Sequence, residues 1–120
     1  MQNSRKTKQT HIETLALRKR LRLIGGLNRA GMASGNNGDF DAAVGNLNDA
    51  LTLAEQLDKQ CLVGKLLNNL GIIYTQSGSW DRAMLSYGRA MNLVSTHHGT
   101  NNVLYKTIQK NISYLCGVKL

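Results

Sequence analysis

The 120-residue chain contains no proline, and only 5% of its residues are aromatic. No apolar run approaches the roughly 20 residues that a membrane-spanning helix needs, so a membrane protein is not expected. No apolar signal segment precedes the rest of the sequence, so secretion by that route is not expected either. These absences predict a cytoplasmic protein.

Cysteine is scarce, and the two cysteines, Cys61 and Cys116, lack the paired spacing of a zinc or redox motif. Both occur in apolar helical patterns, so we expect buried, reduced thiols. His97 and His98 are adjacent in a predicted turn, where two imidazoles rarely point at one metal ion. Neither a metal site nor a cofactor is expected.

Catalytic motifs are missing as well. The glycines near residue 25 are not followed by Gly-Lys-Ser or Gly-Lys-Thr, and no strand precedes them, which excludes a phosphate-binding loop of that type. No spacing of nucleophile and base stands out. The sequence therefore predicts a protein without enzymatic activity.

A pattern of small and large residues recurs after 40 positions. Leu27, Gly31, Gly38, Phe40, Asp41, Ala43, Leu47 and Ala50 return as Leu67, Gly71, Gly78, Trp80, Asp81, Ala83, Tyr87 and Ala90. A fixed period of this size indicates stacked supersecondary units. Apolar residues spaced by three and four positions independently predict amphipathic helices.

The second copy runs in order as Leu67-x2-Leu70-Gly71-x2-Tyr74, Gly78, Trp80 and Ala83-x3-Tyr87-x2-Ala90. This pattern resembles the tetratricopeptide repeat, in the long-period subgroup of about 40 residues found in kinesin light chain-like adaptors. The resemblance implies that Gly71 lets the first helix of a unit approach the second, that Ala83 lies at their closest crossing, and that large residues such as Trp80 fill the remaining space.

The expected fold is therefore all-α: a tetratricopeptide-like helical repeat, or α-solenoid, of about two and a half repeats and five helices. The predicted helices are 11–36, 39–57, 61–77, 80–95 and 101–116. Residues 1–20 form a basic extension, and 21–120 form the repeat domain, with repeats at about 24–63 and 64–103 and a capping helix at 104–117. Asp39 is expected to cap the second helix, and Ser79 or Asp81 the fourth.

Positive charge is concentrated near the start of the chain. Residues 1–29 hold eight basic side chains and one acidic one, whereas the remaining 91 residues hold seven and six. Such a segment can attract phosphates or an acidic protein surface. It is equally compatible with a solvated helix face. A mitochondrial presequence is a third interpretation, because the segment is rich in arginine and poor in acidic residues, although its basic cluster continues directly into the first repeat helix.

The resemblance implies that the first helices of successive units line a concave groove that binds a peptide or protein, without catalysis. The predicted groove residues are Arg22, Asn28, Arg29, Met32, Lys65, Asn68, Asn69, Ile72 and Tyr105. Asn69 is the foremost of them, because its column supplies an amide that can donate to and accept from a ligand backbone. The basic residues in this set predict an acidic ligand.

Two other functions stay open at this stage. The basic N-terminal segment could make the protein a nucleic-acid or ribosome-associated factor, although no aromatic residue is interleaved for base stacking. The chain could also be an oligomerisation module. A homodimer through the C-terminal helix is predicted from its apolar residues, which are Ile108, Ile112, Tyr114, Leu115 and Val118.

Overall fold

The computed structural model describes residues 2–117, which form five helices and no strand. The helices are α1 (Gln2–Asn36), α2 (Phe40–Gln56), α3 (Gln60–Gln76), α4 (Trp80–His98) and α5 (Val103–Leu115). The all-α fold of five helices predicted from the sequence is confirmed. Val118, one of the residues expected to support a homodimer, lies outside the described residues.

Two helices are longer than the sequence predicted. The first continues through the basic extension to Gln2, and α4 includes His97 and His98, which were expected in a turn. Within residues 2–117, no helix is both long enough and apolar enough to cross a membrane.

The helices pack as two consecutive antiparallel pairs followed by a single helix. The pairs are α1 with α2 and α3 with α4; α2 joins them by packing on α3, and α5 packs on α4 and α3. One continuous core runs through the molecule, with Leu47, Leu67, Ile73 and Ile108 among its fully buried side chains. This arrangement is a tetratricopeptide-like helical repeat.

The closest approach within the second pair depends on a glycine in α3. A Cβ atom placed on Gly71 would lie 2.8 Å from Cζ of Tyr87, and nearer still to two other atoms of that ring. Gly31 has the same role in the first pair, where a Cβ would lie 2.9 Å from Cγ of Leu47. The predicted role of Gly71 in helix approach is confirmed, and Ala83 is fully buried as expected.

The side-chain cap predicted from the sequence is present at the start of α2 but absent at the start of α4. The side chain of Asp39 accepts a hydrogen bond from the backbone N–H of Ala42 at 3.3 Å. Ser79 occupies the corresponding position before α4 but makes no capping hydrogen bond with its side chain. Its hydroxyl instead accepts a hydrogen bond from Ser77 Oγ at 3.3 Å.

The last helix begins later than a period of 40 would place it. The turn before α3 spans residues 57–59, whereas the turn before α5 spans residues 99–102. Burial and hydrogen bonding match the two helices at an offset of 42: Leu66 with Ile108, Ile73 with Leu115, and Asn69 with Asn111. Every expectation for α5 based on an offset of 40 therefore shifts by two residues.

This register changes the expected dimer surface. Ile108 is fully buried, and Ile112 and Leu115 are partly buried against the core, which leaves less of their surface for an interface than the sequence suggested. The side of α5 turned away from the core carries Lys106, Gln109 and Lys110, which are exposed. The apolar surplus predicted for this helix is reduced to Val103 and Tyr114, which are 82% and 80% exposed.

Two further expectations about burial were wrong. Trp80 was expected to fill the space between helices, but it is 56% exposed at the first position of α4. Cys61 and Cys116 are both free and exposed, although their apolar surroundings in the sequence suggested burial. Each cysteine lies at a helix end, where periodicity says little about which face a residue occupies.

Candidate functional site

The first helix of each unit, which is α1, α3 or α5, has one side that faces away from the core. In α3 this side carries Lys65, Asn69 and Ile72, which are spaced by four and three positions and so share a face. The buried residues Val63, Leu67 and Leu70 lie on the opposite side and belong to the core. We call the outward side of the three first helices, marked by Arg29, Met32, Lys65, Asn69 and Ile72, the first-helix face.

Asparagine pairs connect neighbouring first helices at this face. Asn69 Nδ2 donates to Asn28 Oδ1 at 2.8 Å, which joins α3 to α1. Asn111 Nδ2 donates to Asn68 Oδ1 at 2.9 Å, which joins α5 to α3 in the same way. Asn68 is buried beneath this contact, and the other three amides are partly buried. The two bridges thus link the three first helices in series.

Two clefts meet at Lys65. The smaller, of about 310 Å³, lies between α1 and α3 and is lined by Asn28, Lys65, Asn68 and Asn69 together with aliphatic side chains that include Leu104. The larger, of about 560 Å³, lies where α3 begins and α4 ends, and is lined by Lys65, Cys61 and His98 among others. Leu21, Leu62 and Lys65 line both clefts, so the two clefts form one continuous depression.

The structure brings four of the nine predicted groove residues together in the smaller cleft: Asn28, Lys65, Asn68 and Asn69. Met32 and Ile72 are partly buried on the same face. Arg22 and Arg29 are exposed and lie outside both clefts. The Arg29 guanidinium extends back over Gly25, with Nη1 3.3 Å from the point where a Cβ would be.

The register of α5 places Tyr105 in another column than the sequence suggested, and its role in partner binding stays a prediction. Tyr105 corresponds to Val63 at the observed offset and packs against the core cluster. The column of Met32 and Ile72 is occupied in α5 by Tyr114, which sequence reasoning had placed in an interface. The shift follows mainly from the length of α4, which has 19 residues where α2 has 17.

Charge is divided between the first and second helices of the units. The first helices α1, α3 and α5 hold eleven of the fifteen basic residues and one of the seven acidic residues, Glu13. The second helices α2 and α4 hold four acidic and two basic residues. Eight of the eleven belong to α1 and form the N-terminal excess already seen in the sequence, and α3 and α5 add three more without an acidic residue.

Few of these basic side chains are neutralised within the protein. Across residues 2–117, one ion pair forms, between Arg89 of α4 and Glu55 of α2, whose atoms are 3.9 Å apart on the opposite side of the pairs. The described residues contain no cluster of histidine, cysteine, aspartate or glutamate that could hold a metal ion. The positive charge of the first helices is thus available to a ligand.

The chain shows limited similarity to proteins of known role. No protein-family model matches it. Over 65 residues it is 38% identical to the photosystem I assembly protein Ycf3 of Prochlorococcus marinus strain MIT 9211, and this stretch covers 53% of the chain and 35% of that protein. The Ycf3 protein of Synechococcus sp. strain WH7803 is 35% identical over 65 residues, with the same coverage.

The chain therefore spans about a third of the length of the curated relatives it matches. Its fold is a tetratricopeptide-like helical repeat, and its sequence is similar to part of a photosystem I assembly protein.

Proposed function

We propose that this chain is a non-enzymatic interaction module, an adaptor that binds a segment of a protein partner on its first-helix face. The observation that carries the proposal is that the first-helix face carries Arg29 and Lys65 beside the asparagine bridges, on helices that together hold eleven basic residues and one acidic residue. A surface of this kind attracts an acidic partner by long-range electrostatics.

The asparagines support recognition of a peptide backbone. Asn69 uses its Nδ2 atom to bind Asn28, which leaves its Oδ1 atom without a hydrogen bond from the described residues. The Nδ2 atom of Asn28 likewise has no hydrogen bond to the described residues. One acceptor and one donor side by side can pair with the N–H and C=O groups of an extended chain.

The comparisons support an assembly role. The similar proteins are named as photosystem I assembly proteins, and we propose that the partner of this chain is likewise a subunit of a complex under assembly. The starts of α2 and α4, 40 residues apart, support the long-period subgroup. We propose repeats at 24–63 and 64–103, which begin within α1 and within α3, and a capping helix at 104–117, which corresponds to α5. The exposed, unpaired cysteines suit the reducing cytoplasm.

A nucleic-acid factor is the second candidate. Seven basic side chains between Arg5 and Arg22 are exposed along α1, and they could contact phosphates. Residues 1–29 contain no phenylalanine, tyrosine or tryptophan on which bases could stack. RNA binding that weakens steeply with salt, by roughly 0.7 log units per phosphate contact for each tenfold rise in salt, would favour this candidate. Glutamine at Arg18, Arg20 and Arg22 should then weaken this binding and reduce its salt dependence, because up to three phosphate contacts are lost.

A homodimer through α5 is the third candidate, and only Val103 and Tyr114 offer it exposed apolar contacts. Because the uncovered side of this helix is otherwise polar, we propose the single chain as the binding unit.

The experiment that tests the proposed function is affinity capture from an extract of the source cells, followed by titration of the captured protein in pure form. Lys65→Glu should weaken binding tenfold or more, because Lys65 lies where both clefts meet. Arg82→Glu is the matched control, since Arg82 is exposed on α4. Equal losses in the two variants would show that the first-helix face is not the site.

A further inference from the structure

The N-terminal part of α1 extends beyond the helices that pack against it. α1 has 35 residues, whereas its antiparallel partner α2 has 17. From residue 5 to residue 23, every side chain is exposed except that of Leu17, which is partly buried. Most helices in proteins are stabilised by tertiary packing. Residues 5–23, which we call the projecting segment, have a surface that is open to a partner.

One side of the projecting segment carries a regular stripe of side chains. Its members are spaced alternately by three and four positions, which places them on one face of the helix. They are Arg5, Lys8, Ile12, Leu15, Lys19 and Arg22, and all six are exposed. Two basic residues thus precede a central apolar pair and two follow it. We call this set the α1 stripe.

The spacing of the α1 stripe indicates a helical partner. Alternate steps of three and four residues are the pattern by which one helix packs along another. Ile12 is 63% exposed and Leu15 is 43% exposed, so the apolar pair has surface left to bury. This apolar part is short and has charges at both ends. It suits the narrow contact of a second helix better than a flat, continuously apolar surface.

The order of the charges disfavours a second copy of this chain as the partner. The α1 stripe reads the same in both directions: basic, basic, apolar, apolar, basic, basic. Two parallel copies would place each basic residue opposite itself, and two antiparallel copies would place Lys8 opposite Lys19 and Arg5 opposite Arg22. Like charges in facing positions oppose association. A helix with carboxylates in these positions is complementary to all four basic residues.

We propose that the projecting segment is a second interaction surface, which binds an acidic helix whose carboxylates lie on both sides of a central apolar pair. Because a helix rises 1.5 Å per residue, Lys8 and Lys19 are roughly 16 to 17 Å apart along the axis, and the inner carboxylates of the partner are expected at the same separation. This surface is additional to the first-helix face, so the adaptor can hold two proteins at once.

The probe for this surface is a synthetic acidic helical peptide of about three heptads. It carries glutamate at the four positions that face the basic residues of the α1 stripe, and leucine at the two positions that face Ile12 and Leu15. A comparison peptide of the same composition has these glutamates and leucines moved off the stripe. Fluorescence anisotropy with the full-length chain should show binding of the first peptide that is about tenfold tighter or more.

Charge reversal on the α1 stripe tests the contact itself. Lys8→Glu together with Lys19→Glu should weaken binding by about tenfold or more, because like charges then face each other. A peptide with lysine at the two facing positions should restore it. The matched control is Lys6→Glu together with Arg20→Glu, since both residues are exposed and each lies about 100° round the helix from a stripe residue. It changes the net charge equally and should weaken binding much less.

Several outcomes would overturn the inference. Binding of neither peptide, equal binding of both, or equal losses in the two charge variants would reduce the effect to net charge or to nothing. Tighter binding of single-stranded RNA or of anionic lipid vesicles would assign the segment to those ligands instead. Lys65→Glu should leave binding of the peptide unchanged, so this test is independent of the proposed function. Circular dichroism of each variant confirms that its fold is intact.

Discussion

Asn69 and Asn28 are 41 positions apart in the sequence, yet Nδ2 of the first lies 2.8 Å from Oδ1 of the second. The same contact recurs between Asn111 and Asn68 in the next pair of first helices. First helices otherwise touch each other little, because most of their packing is with the second helices. The bridges therefore do two things: they link neighbouring first helices directly, and they leave amide atoms of Asn28 and Asn69 without a hydrogen bond from the described residues.

Replacing the donor of this bridge should lower stability. Asn69→Ala removes a partly buried hydrogen bond with a net contribution of about 0.5 to 1.5 kcal/mol. The matched control is Asn92→Ala in α4, where the side chain is exposed and the gain in helix propensity is similar. Urea unfolding of both variants, and of Asn28→Ala with and without Asn69→Ala, gives the coupling energy. A coupling energy of zero would contradict the bridge.

The glycine at the crossing of α3 and α4 should not accept a side chain. Gly71→Leu would drive its side chain into the ring of Tyr87, and overpacking of this kind costs about 1 to 3 kcal/mol or more. Gly88→Leu in α4 is the control, because a Cβ there meets nothing within 4 Å, and it should raise stability by roughly 0.5 to 1 kcal/mol. Melting temperatures that move in the same direction in both variants would refute the crossing.

The sequence predicted the two helix pairs well because the small residue of one helix must match the large residue that faces it in the other helix. Gly31 and Gly71 must face Leu47 and Tyr87, so one pair of columns fixes the register of both helices in a unit. The last helix has no second helix of its own, and therefore no partner column to reveal the two-residue shift. Tyr105 was misplaced for that reason. The exposure of Trp80 could not be predicted from the sequence either, because it depends on what packs against the start of α4.

Tyr87 should make stability depend on pH in the alkaline range. Burial raises the pKa of its hydroxyl above the ordinary value of 10.0, and a hydrogen bond with Thr75 opposes this only in part. Because the folded state holds the proton more tightly, this contribution to stability is fully present below pH 10 and is lost as the pH rises through the folded-state pKa. Between pH 8 and pH 11.5, the melting temperature of Tyr87→Phe should fall less steeply with pH than that of the unchanged protein. Identical slopes would contradict the burial of this hydroxyl.

The chain should be a single unit in solution. Ile112 and Leu115 pack on the core, so little apolar surface of α5 remains for a second copy. Light scattering at micromolar concentrations should give the mass of one chain, 13.2 kDa. A concentration-dependent doubling of the mass that Val103→Lys together with Tyr114→Lys abolishes would instead establish the homodimer.

The central claim, that the first helices form the binding face, is tested most directly by mapping amide chemical shifts in the isotopically labelled chain as the captured protein partner is added. We expect the largest changes in α1, α3 and α5, at Arg29, Lys65, Asn69, Ile72 and Tyr114. We expect small changes on the outer side of α4, at Arg82, Leu85 and Arg89. The reverse distribution, with the second helices perturbed most, would contradict the proposed function.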